Sequence, residues 1–128
     1  MKDSNQVSEV HMLLDAWSRS DTGDIAASLH DSFQARGMED GLFILADAAT
    51  YLRFLERAAR DRPVRAKVEW TDVRHRVAVA CLVQQDHEAR RTILLTMMAL
   101  QTGWRVVTAT FAVEARPFSI TGHQVPLQ

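Results

Sequence analysis

Apolar residues recur at every third or fourth position in three segments of the first half of the chain, which is the period of an amphipathic helix. The first segment spans residues 7–17, and the second spans residues 25–30 and is expected to end near Asp31. Asp47 is placed to cap a third helix, and Pro63 ends it. The expected buried stripes are Val7, Val10, Leu14 and Trp17 in the first helix and Tyr51, Leu52, Phe54, Leu55 and Ala58 in the third.

The period changes to two in the second half, which predicts strands. Residues 64–71 alternate between apolar and polar side chains, as in a strand with one wet face, and residues 72–76 are expected to form the turn that follows. Residues 77–83 and 91–100 form two strands that are apolar on both faces, and residues 104–113 form the last strand. Nearer the start, two short strands are expected within residues 33–46, on either side of a turn at Glu39, Asp40 and Gly41.

Helices followed by an antiparallel meander predict an α+β domain in which the helices cover one face of a curved sheet. The other face would then be left in water, although residues 77–83 make it apolar. Soluble monomers rarely expose so large an apolar patch. A homodimer formed through the sheet is the simplest solution, and we expect it.

Composition limits the chain to one domain. Its 128 residues are too few for two full cores, and a hydrophobic share of 47% supports one core without metals or disulfides. We expect the domain to span residues 1–116 and a tail to follow at residues 117–128.

The charges of the chain nearly balance. Fifteen Lys and Arg against sixteen Asp and Glu produce no long-range electrostatic field. We therefore expect no nucleic-acid and no membrane binding.

The compartment is inferred from a few local features. Cys81 is the only cysteine, so no disulfide can form within the chain and a reducing compartment is the simpler interpretation. Residues 1–8 lack the pattern of an export signal, and no apolar run approaches the ~20 residues that span a bilayer. A cytoplasmic location is expected.

Three short motifs resemble the nuclear transport factor 2-like (cystatin-like) superfamily, over about residues 7–115. They are Leu-Asp-Ala-Trp at 14–17 before a Gly-Asp turn at 23–24, Leu-His-Asp at 29–31 before Gly37, and Thr-Gly-Trp-Arg-Val-Val at 102–107. The lumazine-binding branch is most similar, with the polyketide-cyclase-like branch close behind. The resemblance implies a cone, in which three N-terminal helices and the concave side of an antiparallel or mixed sheet enclose a pocket, commonly in a dimer.

The chain departs from these relatives at two places. Members of the lumazine-binding branch often carry an Asp-aromatic pair in the strand before the Gly-Trp turn, where this chain has Ile93 and Leu94. Ketosteroid-isomerase-like members place a base Asp near the end of the first strand. That position falls at Gly37 and Met38 here, with Glu39 and Asp40 just beyond.

Candidate acid-base groups are few. His30 beside Asp31 could shuttle protons, although such a pair more often orders a helix end. With Glu39 and Asp40, His30 completes the set of catalytic candidates if the protein is an enzyme. No His has a ligand-spaced partner and Cys81 lies in an apolar strand, so we expect no metal site, no cofactor and an inert thiol.

Aromatic and thioether side chains could line a cavity for a flat, apolar ligand, although core packing explains most of them equally well. Arg36 would be an anion anchor if its face of the strand points inward, and solvent exposure is the alternative. The expected pocket residues are Trp17, His30, Arg36, Met38, Phe54, Trp70 and Met97.

These observations favour a dimeric domain that binds a small apolar or aromatic molecule, or serves as an accessory domain, without catalysis. The first alternative is a small-molecule isomerase, cyclase or dehydratase that uses a carboxylate or His in the pocket. The second alternative is a dimerisation scaffold that needs only the sheet surface.

Overall fold

A computed structural model describes residues 2–61, 65–85 and 89–115. The predicted tail, Pro63 and residues 86–88 lie outside this part. The described residues form three helices and six strands. In chain order these are α1 (Lys2–Ser18), α2 (Thr22–Ser28), β1 (Leu29–Glu39), β2 (Leu42–Asp47), α3 (Ala48–Asp61), β3 (Ala66–Arg74), β4 (Val77–Gln85), β5 (Ala89–Leu100) and β6 (Gly103–Ala115).

Side-chain caps fix where two of the helices begin. Asp47 accepts a hydrogen bond of 2.9 Å from the backbone N–H of Thr50, which confirms its predicted role at the start of α3. This bond also lowers the pKa of the Asp47 carboxyl. Asp21 caps α2 in the same way, through a 3.0 Å bond from the N–H of Asp24. Each cap satisfies a backbone donor that the first helical turn leaves without a partner.

The six strands form one curved, open sheet in the order β2-β1-β6-β5-β4-β3. The predicted meander is confirmed, because β3 to β6 pair antiparallel in sequence. The predicted hairpin is confirmed as well: β1 pairs antiparallel with β2, and positive φ angles at Asp40 and Gly41 make the turn tight. β1 and β6 are parallel neighbours, so the sheet is mixed.

Two boundaries differ from the prediction. The second helix ends at Ser28 rather than near Asp31, and His30 lies in β1. Residues 72–74 were expected in a turn but extend β3, because Val73 pairs with Ala78 and only His75 and Arg76 form the turn. Backbone pairing with β4 outweighs the local turn preference of the polar residues.

Alternation along the strands divides the sheet into an inner face, which the helices cover, and an outer face. Residues with the inner phase join the helices in one core, so the helices pack on the concave side as expected. That core contains Val10, Leu14, Trp17, Ile25, Phe33, Ala35, Tyr51, Leu82, Ile93, Leu95, Met97, Val106 and Phe111, among others. None of the helices in the described residues is long and apolar enough to cross a membrane.

Gly37 allows β1 to pass directly beneath the ring of Phe111 on β6. The two residues pair across the parallel strands. A Cβ atom at Gly37 would lie 2.6 Å from the Phe111 ring and even closer to the Phe111 carbonyl oxygen. The absence of a side chain at Gly37 therefore sets the position of Phe111 in the core.

We expect Gly37→Ala to destabilise the protein by about 2–3 kcal/mol, because the added methyl group forces the strands or the Phe111 ring apart. Urea denaturation measures this loss. Gly23→Ala is the matched control, since Gly23 is an exposed helical residue whose added Cβ would make only an ordinary 3.5 Å contact. A Gly37→Ala protein as stable as the wild type would contradict the close approach of Phe111.

Candidate functional site

A cluster of aromatic rings lies between the helices and the inner face of the sheet, with Tyr51 of α3 at its centre. The Tyr51 ring centroid is 5.7 Å from that of Phe33 and 6.1 Å from that of Phe111. The ring of Trp17, on α1, lies 6.2 Å from that of Tyr51. Phe54, about one helical turn after Tyr51 on α3, stacks on it at 6.5 Å. We call these five residues the aromatic cluster. Its spacing is that of favourable aromatic pairs.

The Tyr51 hydroxyl is a polar group inside this apolar cluster. The residue is only 3% exposed, and burial raises the pKa of its phenol above the ordinary value. The charge of Arg91 opposes this rise. As a neutral phenol, Tyr51 can both donate and accept a hydrogen bond.

Arg91 brings a positive charge to the inner face of the sheet. On β5 it has the same phase as buried Ile93 and Leu95, and it pairs with Gln84 on one side and Val113 on the other. Its Nε atom is buried and has no hydrogen-bond partner in the part of the chain that the structure describes. We call Arg91 and the aromatic cluster the interior site.

The neighbouring polar contacts hold the walls of the interior site in place. Trp17 Nε1 donates a 3.1 Å hydrogen bond to Ser28 Oγ, and Ser28 in turn donates to the Ile25 carbonyl at 2.6 Å. Gln84, beside Arg91, donates to Ser20 Oγ at 3.3 Å. These bonds tie α1 to α2 and to β4, so the indole ring of Trp17 has a fixed orientation.

The predicted pocket residues separate into two groups. Trp17 and Phe54 belong to the aromatic cluster, and Met97 is fully buried on the inner face of β5. Arg36 and Met38 have the outer phase of β1, where Thr110 and Ala112 are their partners on β6. The structure therefore places the predicted anion anchor, Arg36, on the side of the sheet away from the interior site.

Trp70 lies at the edge of the sheet and is 48% exposed. A β-bulge between Val68 and Trp70 interrupts the alternation of β3, so Trp70 pairs with Cys81 on the outer face rather than following Val68 into the core. Trp70 also forms part of the wall of a 510 Å³ surface groove between α1 and β3. A second open groove of 710 Å³ runs between α1, α2 and the start of β6.

The three catalytic candidates lie at different places. His30 begins β1, is partly exposed, and its Nδ1 lies 2.8 Å from Ser32 Oγ. Glu39 ends the same strand with the inner phase, and Asp40 is exposed in the turn. His30 and Glu39 are nine positions apart along β1, a rise of about 30 Å. They therefore do not form one acid-base pair.

Residue types capable of metal binding are not clustered either. No group of three or more His, Cys, Asp or Glu side chains is placed to hold an ion within residues 2–61, 65–85 and 89–115. Cys81 is buried on β4, as predicted, and burial raises the pKa of its thiol.

Sequence reasoning missed Arg91 and assigned Tyr51 only to the buried stripe of a helix. A signal for Arg91 was present, because it precedes Ile93 and Leu95 in steps of two and therefore shares their face. A charged residue in the apolar phase of a buried strand is the informative exception to the pattern.

Solved structures with the same fold support this architecture. A nuclear transport factor 2-like protein of unknown function from Silicibacter pomeroyi superposes with a TM-score of 0.75 at 16% identity, over 89% of this chain and 100% of that one. A nuclear transport factor 2-like protein with a cystatin-like fold from Novosphingobium aromaticivorans gives 0.64 at 14% identity, over 88% and 84%. The chain therefore has the nuclear transport factor 2-like fold.

Sequence comparison identifies the family. Residues 3–112 match the family described as "Putative lumazine-binding", and the chain belongs to that family. The match confirms the resemblance that the short motifs indicated. A comparison with curated proteins gives no match.

The buried phenol makes stability depend on pH in a defined direction. Because the folded-state pKa of Tyr51 is raised, the folded protein keeps its proton above pH 10, where the unfolded chain loses it. Stability is therefore full below about pH 10 and falls above it, by at most about 1.4 kcal/mol per pH unit from this group.

We expect Tyr51→Phe to remove that contribution, so that its melting temperature falls less steeply than that of the wild type between pH 9.5 and 11.5. Tyr51 is the only tyrosine, so absorbance at 295 nm follows its ionisation directly. An ordinary titration midpoint near pH 10 in the folded protein would show that the hydroxyl is solvated.

Proposed function

We propose that this protein binds a small, flat, largely apolar molecule in the interior site and does not catalyse its conversion. The observation that carries the proposal is the buried Nε of Arg91, which has no partner among the described residues, together with the aromatic cluster around Tyr51. Ligand sites typically combine apolar and aromatic walls with a few polar groups that fix orientation.

The shape and chemistry of the cluster favour an aromatic ligand. The rings of Tyr51 and Phe54 stack with an interplanar angle of 24°, and a flat molecule can extend such a stack. The Tyr51 hydroxyl and the Arg91 guanidinium are donors available to carbonyl or anionic oxygens. Lumazine, a bicyclic dione, has this combination, and the family description supports testing it.

Binding without catalysis is favoured because His30 lies at one end of β1, far from Glu39 and Asp40 at the other end. General acid-base chemistry needs a group within hydrogen-bond reach of the reacting proton. Glu39 is the observation that supports the enzymatic alternative, since it has the inner phase and pairs with Val113, the strand neighbour of Arg91. An isomerase, cyclase or dehydratase would use this carboxylate beside the aromatic cluster.

We expect calorimetric titration with lumazine to show saturable binding that weakens about 3- to 10-fold in Phe54→Ala, which removes one ring of the stack. Trp70→Ala is the control, because Trp70 is half exposed at the bulge of β3. Its affinity should stay at the wild-type value even if its stability falls.

An equal loss of affinity in both variants would indicate a ligand outside the interior site. If lumazine does not bind, the same titration with 2-naphthamide, a flat neutral aromatic amide, tests the site without a pteridine ring. Failure of both compounds to bind would contradict the proposed function.

We also propose that two copies associate through the outer face of the sheet. Large apolar side chains with the outer phase are exposed on four of the six strands, because the helices leave this face uncovered. These residues are Phe43, Leu45, Met38, Leu94, Met98 and Val77. Two of the four strands, β2 and β1, lie on one side of β6, and the other two, β5 and β4, lie on its other side. Burying such a patch at ~25 cal/mol per Å² favours association before the costs of ordering.

A charge at the centre of the outer face should separate the copies. Leu94 pairs with Cys81 and Thr110, both on central strands. We expect the wild type to sediment at twice the 14.4 kDa chain mass, and Leu94→Arg to sediment as a monomer. Met12→Arg on α1, where Met12 is 74% exposed, is the control and should remain dimeric. A monomeric wild type at micromolar concentration would contradict this assembly.

A further inference from the structure

The guanidinium of Arg91 has no compensating negative charge among the described residues. An arginine side chain stays protonated at any physiological pH, so burial cannot neutralise it as it can a lysine or a histidine. Its Nε is shielded from solvent and lacks a hydrogen-bond partner. The residue as a whole is partly buried, and a partly buried charge without a partner lowers stability. The ligand-free protein therefore holds a charge that a bound group would compensate.

The neighbouring groups cannot supply that compensation. Tyr51 is the titratable group on α3 that interacts with Arg91, and it is a neutral phenol at pH 7. On the sheet, Gln84 is uncharged, and its amide donates to Ser20. Glu39 is the carboxylate on the same inner-face row, but β6 and Val113 lie between it and Arg91, and no ion pair joins the two side chains.

Arg90, the residue before Arg91 on β5, lies in different surroundings. It has the opposite phase on β5, its side chain is 45% exposed, and its Nη2 lies 3.9 Å from Glu69 Oε2. A surface arginine is thus paired, whereas the interior arginine is not.

We propose that the ligand of the interior site carries an oxyanion on its flat aromatic body and that Arg91 binds this oxyanion. The inference rests on the proposed function and adds the charge of the ligand to it. The Nε–H and one terminal N–H of a guanidinium form a fork that matches the two oxygens of a carboxylate, and sulfonate or phosphate oxygens fit the same fork. The anion neutralises the charge of Arg91 while its aromatic body lies against the aromatic cluster.

The matched probes for this proposal are 2-naphthoate and 2-naphthamide, which have the same ring system and differ in charge. We expect calorimetry at pH 7 to show tighter binding of 2-naphthoate to the wild type. Arg91→Gln should weaken 2-naphthoate binding by about 10- to 100-fold, as expected for the loss of a charge-assisted hydrogen bond, and leave 2-naphthamide within about 3-fold. Arg90→Gln should change neither affinity.

A stability measurement separates a binding role of Arg91 from a structural one. Replacing a partly buried charge that has no partner with an apolar side chain of similar length should stabilise the ligand-free protein. We expect Arg91→Met to raise the melting temperature by about 3–6 °C, and Arg90→Met to change it by less than about 2 °C. A large fall in the melting temperature of Arg91→Met would show that Arg91 supports the fold, and would overturn the proposal.

The outcomes distinguish the charge of the ligand from the existence of the site. Equal affinity for the two probes, unaffected by Arg91→Gln, would overturn the oxyanion proposal and leave the interior site as a neutral aromatic site. Binding of lumazine but of neither naphthalene probe would overturn the oxyanion proposal alone. Binding of none of the three compounds would contradict the proposed function as well.

Discussion

The three helices can cover only one face of the six-stranded sheet, and this constraint determines the environment of every strand residue. Side chains with the inner phase enter a core that is sealed by α1, α2 and α3. The helices do not cover the side chains with the outer phase, and Leu94 and Phe43 remain exposed there although they are apolar. Side chains alternate between the two faces along each strand, so the interior site lies on one face of the sheet and the proposed dimer surface lies on the other.

The interior face itself is not uniformly apolar. Towards one end of the sheet, the aliphatic rows of β4 and β5 give way to Gln84 and Arg91, which are direct partners across the two strands. Polar groups in such positions lower the stability of the fold. Natural proteins usually retain them at functional sites. The polar row next to the aromatic cluster thus distinguishes this end of the core from ordinary packing.

The sequence predicts the elements well, because hydrophobic period and capping are local signals. Asp47 caps α3 as expected, and the Asp-Gly turn joins β1 to β2. The bulge at Trp70 could not be predicted, since it depends on how β3 pairs with β4. The parallel contact between β1 and β6 is also a long-range property, and no local pattern encodes it.

The site was less predictable than the elements. Arg91 could in principle be predicted, because its position in the strand alternation places it on the inner face. The aromatic rings that meet at Tyr51 come from α1, α3, β1 and β6, so their contact could be found only from the fold.

The parallel pairing of β1 with β6 places an early strand and the last described strand side by side in the interior of the sheet. Ala35 and Ala109 are direct partners across this contact, so more than half of the chain forms the loop that it closes. Contacts of such sequence separation slow folding, because the entropy of loop closure must be overcome before they form. On the ribosome, β1 has only its hairpin partner until β6 emerges, so the two halves of the sheet join only after β6 has been synthesised.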